Sequence, residues 1–276
     1  VNAKAVQIGA SINNYDIIKE LGEENIRKTI KSEYQNFIDK DECGIRTNPD
    51  TNKDDLDVDK FTDKFISELK ENYKRVGSST DFMLYTDDKV KAFAKDLKTY
   101  NGTTLQYVGI MPKTDDLASY VKNFDSSDIS GIIKNLKEIK AENFTEGKVT
   151  RITGYIPLFK FDYQLKLKED LEKLGVVDVF DEKKADLSNM VTGTSNYIDS
   201  VDHKANIEFS NEGIKAAAVT VGGGFGASNC SFEHLYDVPV EEINITFDKP
   251  YLFLIRDKDT GEVWFVGTVY EPITNE

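Results

Sequence analysis

Apolar residues recur at helical spacing twice in the first part of the chain. Over residues 13–40, Ile17, Ile18, Leu21, Ile26, Ile30, Tyr34, Phe37 and Ile38 predict an amphipathic helix, broken near Gly22. Over 58–74, Phe61, Phe65, Ile66, Leu69 and Tyr73 repeat that pattern. The intervening DECGIRTNPDTNKDDLD (41–57) is polar, acidic and contains Pro49, the composition of a loop. Beyond Gly77–Thr80 the pattern changes to short β-rich runs. FMLYTDD, VKAFAKDLKTY and TLQYVGIMP predict three short strands, the last two joined at Asn101-Gly102, a pair suited to a tight hairpin turn. Residues 115–140 predict two short helices joined at Asp125–Ser127, with Ser126 or Ser127 and Asp128 as start signals. Residues 147–164 alternate as strands do, LKLKEDLEKLG predicts a helix stopped by Gly175, and residues 200–211 alternate again. A Gly-rich loop follows at 221–231 (VGGGFGASNCS). INITF, YLFLIRD and EVWFVGTVY close the chain as β-rich runs, with Asp259-Thr260-Gly261 turning between the last two. Helices and strands mix without regular βαβ alternation, which favours the α+β class.

Composition narrows the function. The chain has 276 residues, 39% hydrophobic and 30% charged, so it can bury a core without disulfides or a structural metal. With 35 basic against 49 acidic residues the net charge is −14. Phosphate contacts need clustered Lys and Arg, so nucleic acid is excluded as a general partner. An anionic membrane surface repels such a chain, and no apolar run approaches the about 18–20 residues of a spanning helix, so membrane insertion is not expected. The start VNAKAVQIGA lacks the basic region and long apolar core of a signal peptide. Two cysteines (Cys43, Cys230) and two histidines (His203, His234) do not make the closely spaced set of about four ligands that structural zinc requires. Whether the cysteines pair is open from sequence. The acidic run Asp50–Asp59 fails the EF-hand register: counted from Asp50, positions six and twelve hold Asp55 and Phe61; counted from Asp55, Lys60 and Ile66. The glycines Gly222, Gly223, Gly224 and Gly226 are not followed by the Lys-Ser/Thr of a phosphate loop. There is no G-x-S-x-G or H-E-x-x-H motif, so no cofactor, no metal and no enzyme are expected. An unrecognised hydrolase using His203 or His234 is the remaining enzymatic alternative.

Several segments, in order, resemble the serpin family. YIPLFKFDYQLKLKEDLEKLGVVDVFDEKKADLSNM (155–190) carries Leu174, Gly175, Asp178, Phe180, Ala185, Asp186, Leu187 and Ser188 in the family's strand–helix passage. HKANIEFSNEGIKAAAVT (203–220) is similar to the strand and hinge before the family's reactive loop. FDKPYLFLIRDKDTGEVWFVGTVYEP (247–272) resembles the closing hairpin, with Pro250, Phe253, Arg256, Gly261, Gly267 and Pro272 in place. LKTYNGTTLQYVGIMPK matches an upstream strand pair. The resemblance covers residues 82–276 and implies serpin-like mixed β-sheets with surrounding helices and an exposed reactive loop at about 212–238. Residues 1–81 are divergent and mostly helical, expected to pack on the same domain.

The resemblance implies a monomeric serine protease inhibitor that acts as a suicide substrate. Its hinge is Glu212, Gly213, Ile214, Lys215, Ala216, Ala217, Ala218, Val219 and Thr220. After cleavage the loop enters the main sheet as an extra strand. Small residues suit insertion, and Gly213 suits the pivot. In a strand, Ile214, Ala216, Ala218 and Thr220 face one side, which the resemblance turns inward, and Lys215, Ala217 and Val219 the other. Two positions depart from the family: Ile214 stands where inhibitory members have Thr or Ser, and Lys215 where they have Glu. The family's loop length places the scissile bond at Ala227–Ser228, preceded by Phe225 and Gly226, so the expected partner is an elastase- or subtilisin-like serine protease. Such targets imply an extracellular or cell-surface location. His203 matches a histidine of the sheet-opening region, with a structural hydrogen-bonding role. The alternative is a non-inhibitory serpin-like binding protein.

Overall fold

A computed structural model describes residues 4–41, 44–77, 81–192, 196–209 and 232–273. Their order is β1 (Ala5–Asn13), α1 (Ile17–Leu21), α2 (Glu23–Lys40), α3 (Val58–Asn72), β2 (Val76–Gly77), β3 (Phe82–Thr86), β4 (Val90–Asp96) and β5 (Leu105–Pro112). Then come α4 (Leu117–Lys122), α5 (Ser126–Asn135), β6 (Lys137–Glu138), β7 (Val149–Pro157), β8 (Phe159–Lys166), α6 (Lys168–Lys173) and β9 (Asp202–Phe209). The chain closes with β10 (Val240–Asn244), β11 (Tyr251–Asp257) and β12 (Val263–Val269). The described parts of 5–157 and 212–270 form one compact unit; those of 158–211, with Lys4 and 271–273, form a second.

Local chemistry sets the helix starts. The Asp57 carboxylate accepts the amides of Asp59 and Lys60 and so satisfies orphan donors at the start of α3. α5 begins at Ser126, with Asp125 rather than a serine as its cap, in a reciprocal box with Asp128, which is among the expected start signals. The predicted break at Gly22 is real: its φ of 80° ends α1 and begins α2. Asn101 and Gly102 have φ of 48° and 82°, the left-handed pair a tight hairpin turn requires.

Two sheets build the first unit. One has the order β10-β7-β1-β2, with β1 antiparallel and β10 parallel to β7. The other has the order β12-β11-β5-β4-β3-β6. One face of this six-stranded sheet meets α4 and α5 through Val90, Ala92, Val108, Ile110, Leu117, Ile132, Leu252 and Leu254, all buried. Aromatic rings pack nearby: Tyr107 stacks on Phe253 at 5.9 Å, and Phe247 meets Phe93 edge-on at 6.3 Å. In the second unit β8 and β9 form an antiparallel pair. No helix among the described residues is long and apolar enough to cross a membrane.

The structure adds to and trims the expectations. Residues 1–81 hold α1–α3 as predicted, but also β1, an inner strand paired with β7 from Ala5↔Pro157 to Asn13↔Val149. The helical expectation for 115–140 ends at Asn135, where the chain turns extended and Lys137–Glu138 pairs with β3. β8 continues to Lys166, so α6 begins at Lys168 rather than Leu165.

Gly154 shows how tightly the four-stranded sheet is covered. A Cβ there would lie 2.4 Å from Ile245 Cγ2 and 3.0 Å from the Ile245 carbonyl carbon. Gly154→Ala is expected to cost about 1–3 kcal/mol through overpacking, read as a lower urea midpoint at unchanged slope. Adding Ile245→Ala to that variant is expected to cost less than Ile245→Ala alone, because it removes the clashing methyl.

Candidate functional site

The hinge Glu212–Thr220, the bond Ala227–Ser228 and both cysteines lie outside the described residues. What the structure describes is the two flanks of that loop. The proximal flank is β9, in the second unit. It pairs with β8 over its whole length, from Phe159↔Phe209 to Lys166↔Asp202. Phe159 stacks on Phe161 at 5.4 Å and on Phe209 at 5.7 Å, so the end of β9 nearest the hinge is held by aromatic packing. Lys160 and Glu208 pair at 2.8 Å across the strands, and the Asn206 side chain donates to Asp162. Among the described residues no strand pairs with the other edge of β9. Such an edge offers N–H and C=O groups to a further strand.

His203 stands opposite Leu165 in this ladder. Its side chain is exposed and makes no hydrogen bond to another described residue. No described residue supplies the structural hydrogen bond expected for it. It shares the face of Ala205, Ile207 and Phe209, but at the opposite end of β9 from the Phe209 stack.

The distal flank belongs to the first unit. Residues 232–239 form neither helix nor strand, and Phe232, His234, Tyr236 and Val238 are half-buried while the residues between them are exposed. They lie on the helical pair α2–α3. There Ile26, Ile30 and Ile66 form a buried cluster with Ile17, and Phe232 and Tyr236 pack against it. Phe232 enters a ring of aromatics, with centroids 5.2 Å from Tyr34, 5.7 Å from Phe37, 5.5 Å from Phe61 and 6.5 Å from Phe65, all near edge-on. Tyr34 and Phe61 stack at 3.5 Å and so join the two helices. Arg27–Asp63 and Lys31–Asp59 add ion pairs across them; water screens both, so they contribute little beside the aromatic packing. His234 Nδ1 lies 2.5 Å from Glu33 on α2, and its ring meets Tyr236 edge-on at 4.3 Å. After Pro239, whose carbonyl accepts the Val149 amide, the chain enters β10.

Burial tunes two phenols in this seat. Tyr34 donates to the Asp55 carbonyl at 2.7 Å, and burial, helped by Asp55, pushes its pKa up to about 12. The Tyr236 hydroxyl is buried without a hydrogen-bond partner among the described residues; burial, then Glu33, pushes it up to about 12. This anchor is not among the residues expected from the sequence to act. Its signal was there in FEHLY, which places Phe232, His234 and Tyr236 at every second position. His203 and His234 lie in different units, and among the described residues no group of His, Cys, Asp and Glu could hold a metal ion.

Comparison with known proteins bears on the whole arrangement. Residues 58–272 match the family model described as Serpin (serine protease inhibitor), which begins inside the stretch the sequence set apart as divergent. The human protein named leukocyte elastase inhibitor is 31% identical over 226 residues, 77% of this chain and 55% of its own. A serpin-like protein of Methanosarcina acetivorans is 30% identical over 177 residues, 63% of this chain and 36% of its own. Among solved structures, the thermophilic serpin tengpin in its native state aligns at a TM-score of 0.49 and 26% identity, covering 73% of this chain and 48% of that one. The chain spans about half the length of the first curated relatives it matches.

The raised phenols give a pH prediction with a definite sign. Folding favours the neutral form of Tyr34 and Tyr236, so their contribution is complete below the ordinary value near 10.0 and is lost as pH rises towards about 12. Ultraviolet titration of the folded protein is expected to show late phenolate absorbance, of which Tyr236→Phe removes a part, and stability is expected to fall above about pH 10.

Proposed function

The chain belongs to the serpin family, and we propose that within it this protein is a suicide-substrate inhibitor of an elastase- or subtilisin-like serine protease, acting as a monomer. Its relatives carry the names of protease inhibitors rather than of enzymes. The observation that carries the reading is β9: a strand with one edge unpaired among the described residues, followed in sequence by small residues able to extend the sheet. The division into a divergent 1–81 and a serpin-like core at 82–276 belongs to the same reading. The extracellular or cell-surface location does not, because family membership gives no support to one compartment over another.

The chemistry is supplied by the protease. Its serine attacks the Ala227 carbonyl, Ser228 leaves as a new amino terminus, and an acyl-enzyme forms. The released proximal segment can then add to the β9 edge as an antiparallel strand, each new main-chain hydrogen bond contributing about 0.5–1.5 kcal/mol net. Insertion outruns deacylation only if the hinge enters quickly. Ile214 is bulky but uncharged, so its burial slows entry without preventing it, and Lys215 stays in water on the opposite face. These two departures favour a second reading, a serpin-like binding protein whose loop is cut without trapping.

Incubation with an elastase-like and a subtilisin-like protease, followed by denaturing electrophoresis and mass spectrometry, tests the proposal. The expected result is a denaturant-stable band at the summed mass and a new terminus at Ser228. Ile214→Thr is expected to raise the trapped fraction severalfold. Clean cleavage without complex, in both proteins, assigns the chain to the binding class.

A further inference from the structure

Neither trapping nor partner binding, as described, gives the helical pair α2–α3 a task. We infer that it is a clamp for the distal flank of the loop, with Phe232 as positioning residue, and that it sets the downstream limit of the stretch a protease can cut. A protease binds its substrate as an extended segment on both sides of the scissile bond, so a segment already seated on its own protein is a poor substrate. Residues 232–239 are seated in that sense. Phe232 meets four aromatic rings contributed by both helices, and Tyr236 packs on the isoleucine cluster beneath. His234 is fixed between Glu33 and the Tyr236 ring, its side chain only 16% exposed.

The side chains concerned make the clamp consequential. Phe232, Leu235 and Tyr236 are the large apolar and aromatic groups that proteases with deep primary pockets accept. Leu235 points outward, 89% exposed, but its flanking residues are half-buried or fixed to them. Without the clamp these residues would compete with any bond upstream, and cuts at them would divert the protease from it. With the clamp, the tether also limits position. Ala227 precedes Phe232 by five residues, so an extended chain keeps that carbonyl within about 18 Å of the seat. This distance rests on the inhibitory reading of Ala227–Ser228; the clamp itself does not.

Limited proteolysis of the purified chain with a chymotrypsin-like enzyme and with subtilisin, mapped by intact-mass spectrometry, tests the inference. In the unaltered chain every early cut between β9 and β10 is expected N-terminal to Phe232. Phe232→Ala is expected to open cuts at Leu235 and Tyr236 by about tenfold, because proteolysis follows the population of the locally opened segment. Glu33→Gln leaves the rings in place and is expected to give a smaller rise of the same pattern. Gly154→Ala, destabilised elsewhere in the same unit, is expected to leave 232–239 protected, which separates clamping from general loss of stability. Early cuts within 232–239 of the unaltered chain, or the same map for it and Phe232→Ala with helicity intact, overturn the inference. The map does not require trapping: a bounded map without a complex retains the clamp and removes the inhibitory reading, and a complex with an unbounded map does the reverse.

Discussion

Everything in the first unit hangs on the pairing of late strands with early ones. β11 lies between β5 and β12, and β10 lies parallel against β7, although both follow the loop in sequence. Tyr251, Leu252, Phe253 and Leu254 are all buried, so the main chain of β11 cannot turn to water for its hydrogen bonds. It must find them in neighbouring strands, since an unpaired buried amide or carbonyl costs about as much as a lost hydrogen bond. That demand locks the segment after the loop into sheets built from residues 5–157. Glycines make the close approach possible: Gly154 faces Ile245, Gly109 faces the Phe247 ring and Gly267 faces the Phe253 ring.

The two flanks of the loop are held by different forces. On the proximal side β9 has one ladder and one edge unpaired among the described residues, and its nearest packing is the Phe159–Phe209 stack. On the distal side the chain is seated twice, first by aromatic packing on α2–α3 and then by main-chain pairing with β7. This asymmetry suits an inhibitor whose loop, once cut, must move on one side only. It also suits a rigid display of the loop to a partner, so the described scaffold does not choose between the two proposed readings.

Legibility followed the range of the signal. α2 and α3 were plain from their isoleucine and phenylalanine spacing, and the β4–β5 hairpin from Asn101-Gly102, because each of those signals acts over a few residues. β1 does not stand out along the sequence although Val6, Ile8, Ala10 and Ile12 alternate, because Gly9 and the small Ala10 at its centre carry little strand preference. The structural role expected of His203 comes from its family counterpart, whereas its exposure among the described residues is a matter of tertiary neighbours.

By itself, the sequence determined many of the local elements, the acidic charge, and the family, through motifs that keep their order along the chain. Tertiary structure alone decided that β1 runs beside β7, that β10 and β11 return to early strands, and that Phe232 settles among Tyr34, Phe37, Phe61 and Phe65. Periodicity and capping act between residues a few positions apart, so they can be read along a line. Strand partners and aromatic seats are chosen by the burial of whole faces against one another, and that choice exists only once the chain has folded back on itself.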